Sequence, residues 1–129
     1  MVALSIPAKA EYVALCRLAL TGLARLRKIG PERLADLKLA LTEACSNSIR
    51  HAYAEGREGV VDVRYELTAE RIAIEVADTG QGFDTTARPG GDPLDEGGLG
   101  LAIIRAVTDE LGIEYDGHVS RLRFVKYLD

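Results

Sequence analysis

Apolar and polar positions in this chain follow two periods. From about Glu11 to Ile29, and again from Pro31 to about Tyr53, apolar residues recur at helical spacing, and Gly30-Pro31 separates the two runs. Pro31 suits the first turn of the second helix, which ends in the loop AEGREG. The period then changes to two. Val61, Val63, Tyr65 and Leu67 alternate with Asp62, Arg64 and Glu66, while Ile72, Ile74 and Val76 alternate with Ala73, Glu75 and Ala77, which predicts two half-buried strands joined by a short turn. A third helix is predicted over about Leu99 to Leu111, with Leu101, Ile104, Val107 and Leu111 on its inner face. Two last strands follow, about Ile113 to Tyr115 and Val119 to Tyr127, with Asp116-Gly117 as the turn. VALSI, residues 2 to 6, reads as a short strand stopped by Pro7. Helices clustered early and strands in hairpins predict an α+β fold, a two-layer sandwich of three helices on a mixed, mostly antiparallel sheet.

The second helix carries more than a core stripe. Leu34, Leu37, Leu41, Ala44, Cys45 and Ala52 form its apolar side, with Asp36, Glu43, Asn47 and Arg50 roughly opposite. Glu43, Asn47 and His51 recur every four residues, which stacks them on one face. The plain expectation for such a face is solvation.

Composition narrows the choices. A chain of 129 residues, 47% apolar, supports one domain over residues 1–129 with a single core. Sixteen basic against twenty acidic residues, without a long basic run, argue against direct nucleic-acid binding and favour a protein or small-molecule partner. No apolar run reaches the length of a membrane span, and the N-terminus lacks the regions of a signal peptide, so a cytoplasmic protein away from membranes is expected. Cys16 and Cys45 lack the spacing of a metal site or redox pair and read as buried thiols.

One segment fits no element. GQGFDTTARPGGDPLDEGG, from Gly80 to Gly98, has no apolar period, and a loop this long in a small domain is usually functional, the alternative being a tolerated insertion. Glycine clusters bracket it. Asp78-Thr79-Gly80-Gln81-Gly82 ends a strand, where a carboxylate can accept a hydrogen bond from an amino group and glycines let the backbone approach a flat ligand. Gly97-Gly98-Leu99-Gly100 opens a helix, whose unpaired N–H groups favour an anion such as phosphate. Neither cluster completes the dinucleotide fingerprint, since Thr85 and Ile103 stand at the third glycine positions, and no Lys-Ser or Lys-Thr follows as a phosphate loop requires. The acidic stretch lacks calcium-loop spacing, and two isolated histidines cannot build a zinc site.

In combination, Glu43 and Asn47 on a helix, Asp78, Gly80 and Gly82 after a strand, and Gly98-Leu99-Gly100 at a helix start resemble the nucleotide boxes of the GHKL, or Bergerat-fold, ATPases. TEACSNSIRHAY and GGLGLAIIRAVTDEL are most similar to the anti-sigma-factor serine kinases of bacteria. The resemblance implies ATP and Mg²⁺ as cofactors, a sigma factor held inactive, a serine phosphorylated on an anti-anti-sigma protein, and a homodimer. It implies an ATP lid over residues 83–97. It carries Asn47 over as metal ligand, Glu43 as proposed base, and Asp78, Gly80, Gly82, Gly98, Leu99 and Gly100 as nucleotide contacts. Chemistry fits these roles, because Mg²⁺ needs few protein oxygens beyond the phosphates, and transfer to serine needs a proton acceptor beside the metal. His51 fits the pattern at the pocket's edge, with a packed or capping role as the alternative. Arg50 either reaches a phosphate or is solvated. Arg88, the one basic residue between 72 and 104, stands in a lid made acidic by Asp84, Asp92, Asp95 and Glu96. That acidity favours a rival reading, a non-catalytic, nucleotide-responsive module that acts by gripping its partner; the Glu43–Asn47 pair favours the kinase.

Overall fold

A computed structural model describes residues 1–53, 59–78 and 96–128, with the side chains of 51–53 and 96–99 outside the described set. Its elements are β1 (Val2–Pro7), α1 (Val13–Arg27), α2 (Pro31–Tyr53), β2 (Val60–Leu67), β3 (Arg71–Asp78), α3 (Glu96–Val107), β4 (Glu110–Tyr115) and β5 (Ser120–Tyr127). The strands form one five-stranded sheet in the order β1-β2-β3-β5-β4. Expected as mixed and mostly antiparallel, this sheet is antiparallel at each of its four described pairings. Period-two alternation turns Val61, Val63, Tyr65, Ile72, Ile74, Val76, Leu122 and Phe124 toward the helices, where all are buried. The opposite face carries Asp62, Arg64, Glu75, Arg121 and Arg123, which line two shallow depressions away from the helices.

Several boundaries differ from the sequence expectation. The first helix begins with a separate 3-10 turn, Ala10–Tyr12, and α1 ends at Arg27, where Lys28 turns left-handed with φ 54°. The N–H groups of Lys28 and Ile29 both reach the Ala24 carbonyl, closing the helix two residues early. The third helix starts at Glu96 and stops at Val107, so Leu111 lies not on its inner face but in β4, opposite Phe124. Leu111 satisfies both periods, four residues after Val107 and two before Ile113, and the switch is set by Asp109, whose N–H bonds the Val125 carbonyl at 2.8 Å. Finally, the β4–β5 turn takes four residues, Asp116 to Val119, rather than two. Asp116 Oδ1 accepts the N–H groups of His118 and Val119 at 2.9 and 2.8 Å, and Gly117 supplies the left-handed φ of 92°.

Helix α2 packs against both α1 and α3 and lies over β3. On the α1 side, Cys16 and Cys45 are free, fully buried thiols, as expected. The hydrogen bond to Cys16, and then burial, push the Cys45 thiol well above its ordinary range. Tyr65 anchors the same corner by donating to the Cys16 carbonyl at 2.8 Å. At the far end of β5, Lys126 points to the helix side and joins two helices: its Nζ lies 3.0 Å from Asp36 Oδ2 on α2 and 2.8 Å from the Val107 carbonyl at the end of α3. Among the described residues no helix is long and apolar enough to cross a membrane.

Candidate functional site

The polar ladder of α2 does not face water along its length. Asn47 has no exposed surface, neither has its neighbour Ser48, and Glu43 is half-buried. The covering element is α3. A β-carbon built at Gly100 would stand 3.2 Å from Glu43 Oε2, 3.2 Å from Asn47 Nδ2 and 3.3 Å from Asn47 Oδ1. Such separations are tighter than ordinary carbon contacts. Gly100 therefore lets the start of α3 close onto the Glu43–Asn47 step, a reason for glycine beyond the phosphate access expected from sequence. A carboxylate, a buried amide and the first turns of a glycine-rich helix thus meet at one point.

Two polar groups define this point electrostatically. Arg50, exposed on the last turns of α2, donates from Nη2 to Asn47 Oδ1. Asn47 Nδ2 is buried and has no hydrogen-bond partner among the described residues. A buried amide nitrogen left so costs roughly 1–3 kcal/mol, which marks a position shaped for something besides stability.

Asp78 closes β3. Alternation places it after Val76 on the helix-facing side, where it is 2% exposed, a costly position for a carboxylate that must be held by donors. Directly across the β3–β5 register stands Ser120, also buried. The sequence pattern singles out neither Ser48 nor Lys126. Their signal was faint, since a serine beside an apolar stripe and a lysine in an alternating strand are both ordinary.

The remaining expected residues divide as follows. The backbones of Gly98 and Leu99 lie in the first turn of α3, and that of His51 in the last turn of α2, with the His51 and Leu99 side chains outside the described set. Gly80, Gly82, Arg88 and lid residues 83–95 lie outside the described residues. Among the described residues, no group of three or more His, Cys, Asp or Glu side chains could hold a metal ion. Asn47 offers one neutral oxygen, with the Glu43 carboxylate one turn away, and this suits Mg²⁺ carried in on phosphates better than a resident ion caged by protein.

Comparison with known proteins decides the family. The profile of the histidine kinase-like ATPase domain matches residues 6–126. The chain belongs to this family. As a histidine kinase-like ATPase, it is 37% identical over 133 residues to the serine-protein kinase RsbW of Bacillus licheniformis, covering 95% of this chain and 82% of that protein. It is 33% identical over 138 residues to RsbW of Listeria monocytogenes, covering 99% and 87%. Among solved structures, the RsbU and RsbW domains of a Mycobacterium tuberculosis protein superpose with a TM-score of 0.70 at 20% identity, over 99% of this chain and 33% of that one. The histidine kinase domain of a blue-light activated kinase from Erythrobacter litoralis gives 0.63 at 20% identity, over 95% of this chain and 62% of that one. These structures support the fold alone. Three helices on an open antiparallel sheet are the architecture that this ATPase family shares with the chain.

Proposed function

We propose that this chain is an ATP-dependent protein-serine kinase that also acts as an anti-sigma factor, holding a sigma factor inactive and phosphorylating a serine on an anti-anti-sigma protein. The observation that carries the reading is the closure of α3 on α2: Gly100 seated against Glu43 and the fully buried Asn47. Relatives named serine-protein kinase, aligned over nearly the whole chain, support the same activity.

In this reading the opening turn of α3, with Gly98, Leu99 and Gly100, faces the phosphates with its N–H groups. Asn47 Oδ1 holds Mg²⁺, which when bound neutralises phosphate charge and helps align the γ-phosphate. Glu43, one turn away, accepts the proton of the attacking serine hydroxyl, close to the metal without being consumed by it. Asp78 accepts a hydrogen bond from the adenine amino group, and its burial at the strand end suits a charge-assisted bond shielded from water. Gly80, Gly82 and His51 border the nucleotide, and Arg88 offsets part of the acidic lid. The acidity of that lid, with Asp84, Asp92, Asp95 and Glu96, is the one observation favouring a nucleotide-responsive module without turnover.

We further propose a homodimer. Supporting it, β1 occupies one edge of the sheet, and α1 leaves Leu15, Leu18 and Leu26 largely exposed, a combination that suits burial against a second copy. Light scattering tests this, and a strict monomer at high concentration contradicts it. For the nucleotide, calorimetry should show ATP binding that tightens with Mg²⁺, loses that gain in Asn47→Ala, and exceeds GTP binding because of Asp78. Silence from ATP with and without metal would remove the nucleotide site.

A further inference from the structure

The contact between Arg50 and Asn47 carries an inference that rests on the nucleotide reading above and deepens it. Asn47 Oδ1 is the neutral oxygen of the ladder suited to a hard cation, and in this structure it already accepts a hydrogen bond from a cation, the Arg50 guanidinium. The two residues are three apart on α2, so Arg50 reaches the amide from the solvent side while Asn47 itself is fully buried. We propose that Arg50 is a built-in counter-cation that occupies the metal-accepting oxygen of Asn47 in the nucleotide-free protein and is displaced when metal and nucleotide arrive.

Four physical points support this. The guanidinium is charged at every relevant pH, so it cannot yield the oxygen by losing a proton. A guanidinium and a divalent cation sharing one amide oxygen would stand about 4–5 Å apart, a distance at which like charges repel by roughly 2 kcal/mol even in a well-solvated site, so each weakens the other's hold on the oxygen. Glu43 lies one turn earlier, and its Oε2 flanks the same Gly100 position as the Asn47 amide, so a positive charge is favoured here in either state. Arg50 is exposed, and its long side chain regains hydration when it swings away. Any free energy holding Arg50 on Asn47 is free energy the metal must overcome, so Arg50 raises the Mg²⁺ concentration at which nucleotide binding is half-maximal.

The test is calorimetric titration of ATP over a series of Mg²⁺ concentrations, with wild type and Arg50→Met, which keeps the apolar stem and removes charge and donors. The Mg²⁺ concentration for half-maximal ATP binding should fall about three- to tenfold in the variant, the scale of one partly exposed charge-assisted hydrogen bond. At saturating Mg²⁺ the ATP affinities should agree within about twofold, because Arg50 is then displaced in wild type and absent from the variant. A loss of ATP affinity in Arg50→Met at every Mg²⁺ concentration makes Arg50 a phosphate contact and overturns the inference, as does an unshifted Mg²⁺ midpoint. NMR of the nucleotide-free protein supplies a readout independent of turnover. The Asn47 side-chain amide resonances should move in Arg50→Met, and resonances that stay in place show that Arg50 does not hold the oxygen in solution. Wild type that binds no ATP at any Mg²⁺ concentration overturns the nucleotide reading and this inference with it; wild type that binds ATP normally beside a variant with an unshifted midpoint overturns this inference alone.

Discussion

Gly100 and Asn47 approach so closely that a β-carbon on the glycine would stand 3.2 Å from the asparagine amide nitrogen and 3.3 Å from its oxygen. Gly22 is the opposite case, a glycine on α1 with nothing within 4 Å of an added β-carbon. The two predict contrasting outcomes for the same substitution. Gly22→Ala should stabilise the protein by about 0.5–1 kcal/mol through helix propensity alone. In Gly100→Ala an overpacking cost of about 1–3 kcal/mol opposes that gain, so urea denaturation should show net destabilisation of up to about 2 kcal/mol. ATP affinity should fall at least about tenfold, as the start of α3 is pushed off the ladder. Gly100→Ala that behaves like Gly22→Ala in both measurements would show that the closure of α3 on α2 is loose.

Lys126 holds the other end of α3. Of its two contacts, the ion pair with Asp36 is partly screened, because that carboxylate side chain is 42% exposed, while the bond to the Val107 carbonyl ties down a helix end. Lys126→Met should therefore cost about 1–2 kcal/mol in chemical denaturation, and Asp36→Asn less than about 0.5 kcal/mol. Equal losses in the two variants would transfer the effect to the ion pair.

The β4–β5 turn provides a pH marker. The N–H groups of Val119 and then His118, followed by the Arg121 guanidinium, hold the Asp116 carboxyl down at about 2 from its ordinary 3.8. A folded pKa lowered in this way contributes stability that is complete above the unfolded value and is lost as pH falls through the folded one. The amide resonance of Val119 should thus show no midpoint near pH 4 and should move with Asp116 only below about pH 3. A midpoint near 4 would mean that the two N–H bonds are absent in solution. Asp116→Asn keeps an acceptor for both N–H groups and should remove this titration.

Much of the architecture was readable because burial imposes period two on β2, β3 and β5 and helical spacing on α1 and α2. It failed where one residue served two periods, as Leu111 does, or where hydrogen bonds rather than apolar spacing set an end, as with Lys28, Asp109 and Asp116. At the candidate site, the four-residue spacing of Glu43 and Asn47 put them on one face, and the glycine cluster marked the start of α3. The expected solvation of that face did not hold. Whether a polar helix face is wet depends on what packs over it, and no local pattern in α2 reveals that Gly100, more than fifty residues away, sits there. The Arg50–Asn47 contact was hidden for a related reason, because an arginine three residues beyond an asparagine usually remains in solvent. Lys126 was hidden because its two partners lie on two other elements, α2 and α3.

The decisive experiment follows labelled phosphate from ATP to the serine of an anti-anti-sigma partner, with wild type and Glu43→Gln compared beside their calorimetric ATP affinities. Glutamine keeps the shape and hydrogen-bonding reach of Glu43 and removes its capacity to take a proton. Wild type should transfer phosphate, and Glu43→Gln should do so about 10²-fold more slowly or worse, with ATP affinity unchanged within about twofold. Wild type that binds both ATP and the partner yet transfers no phosphate would contradict the kinase and leave a binding module in its place.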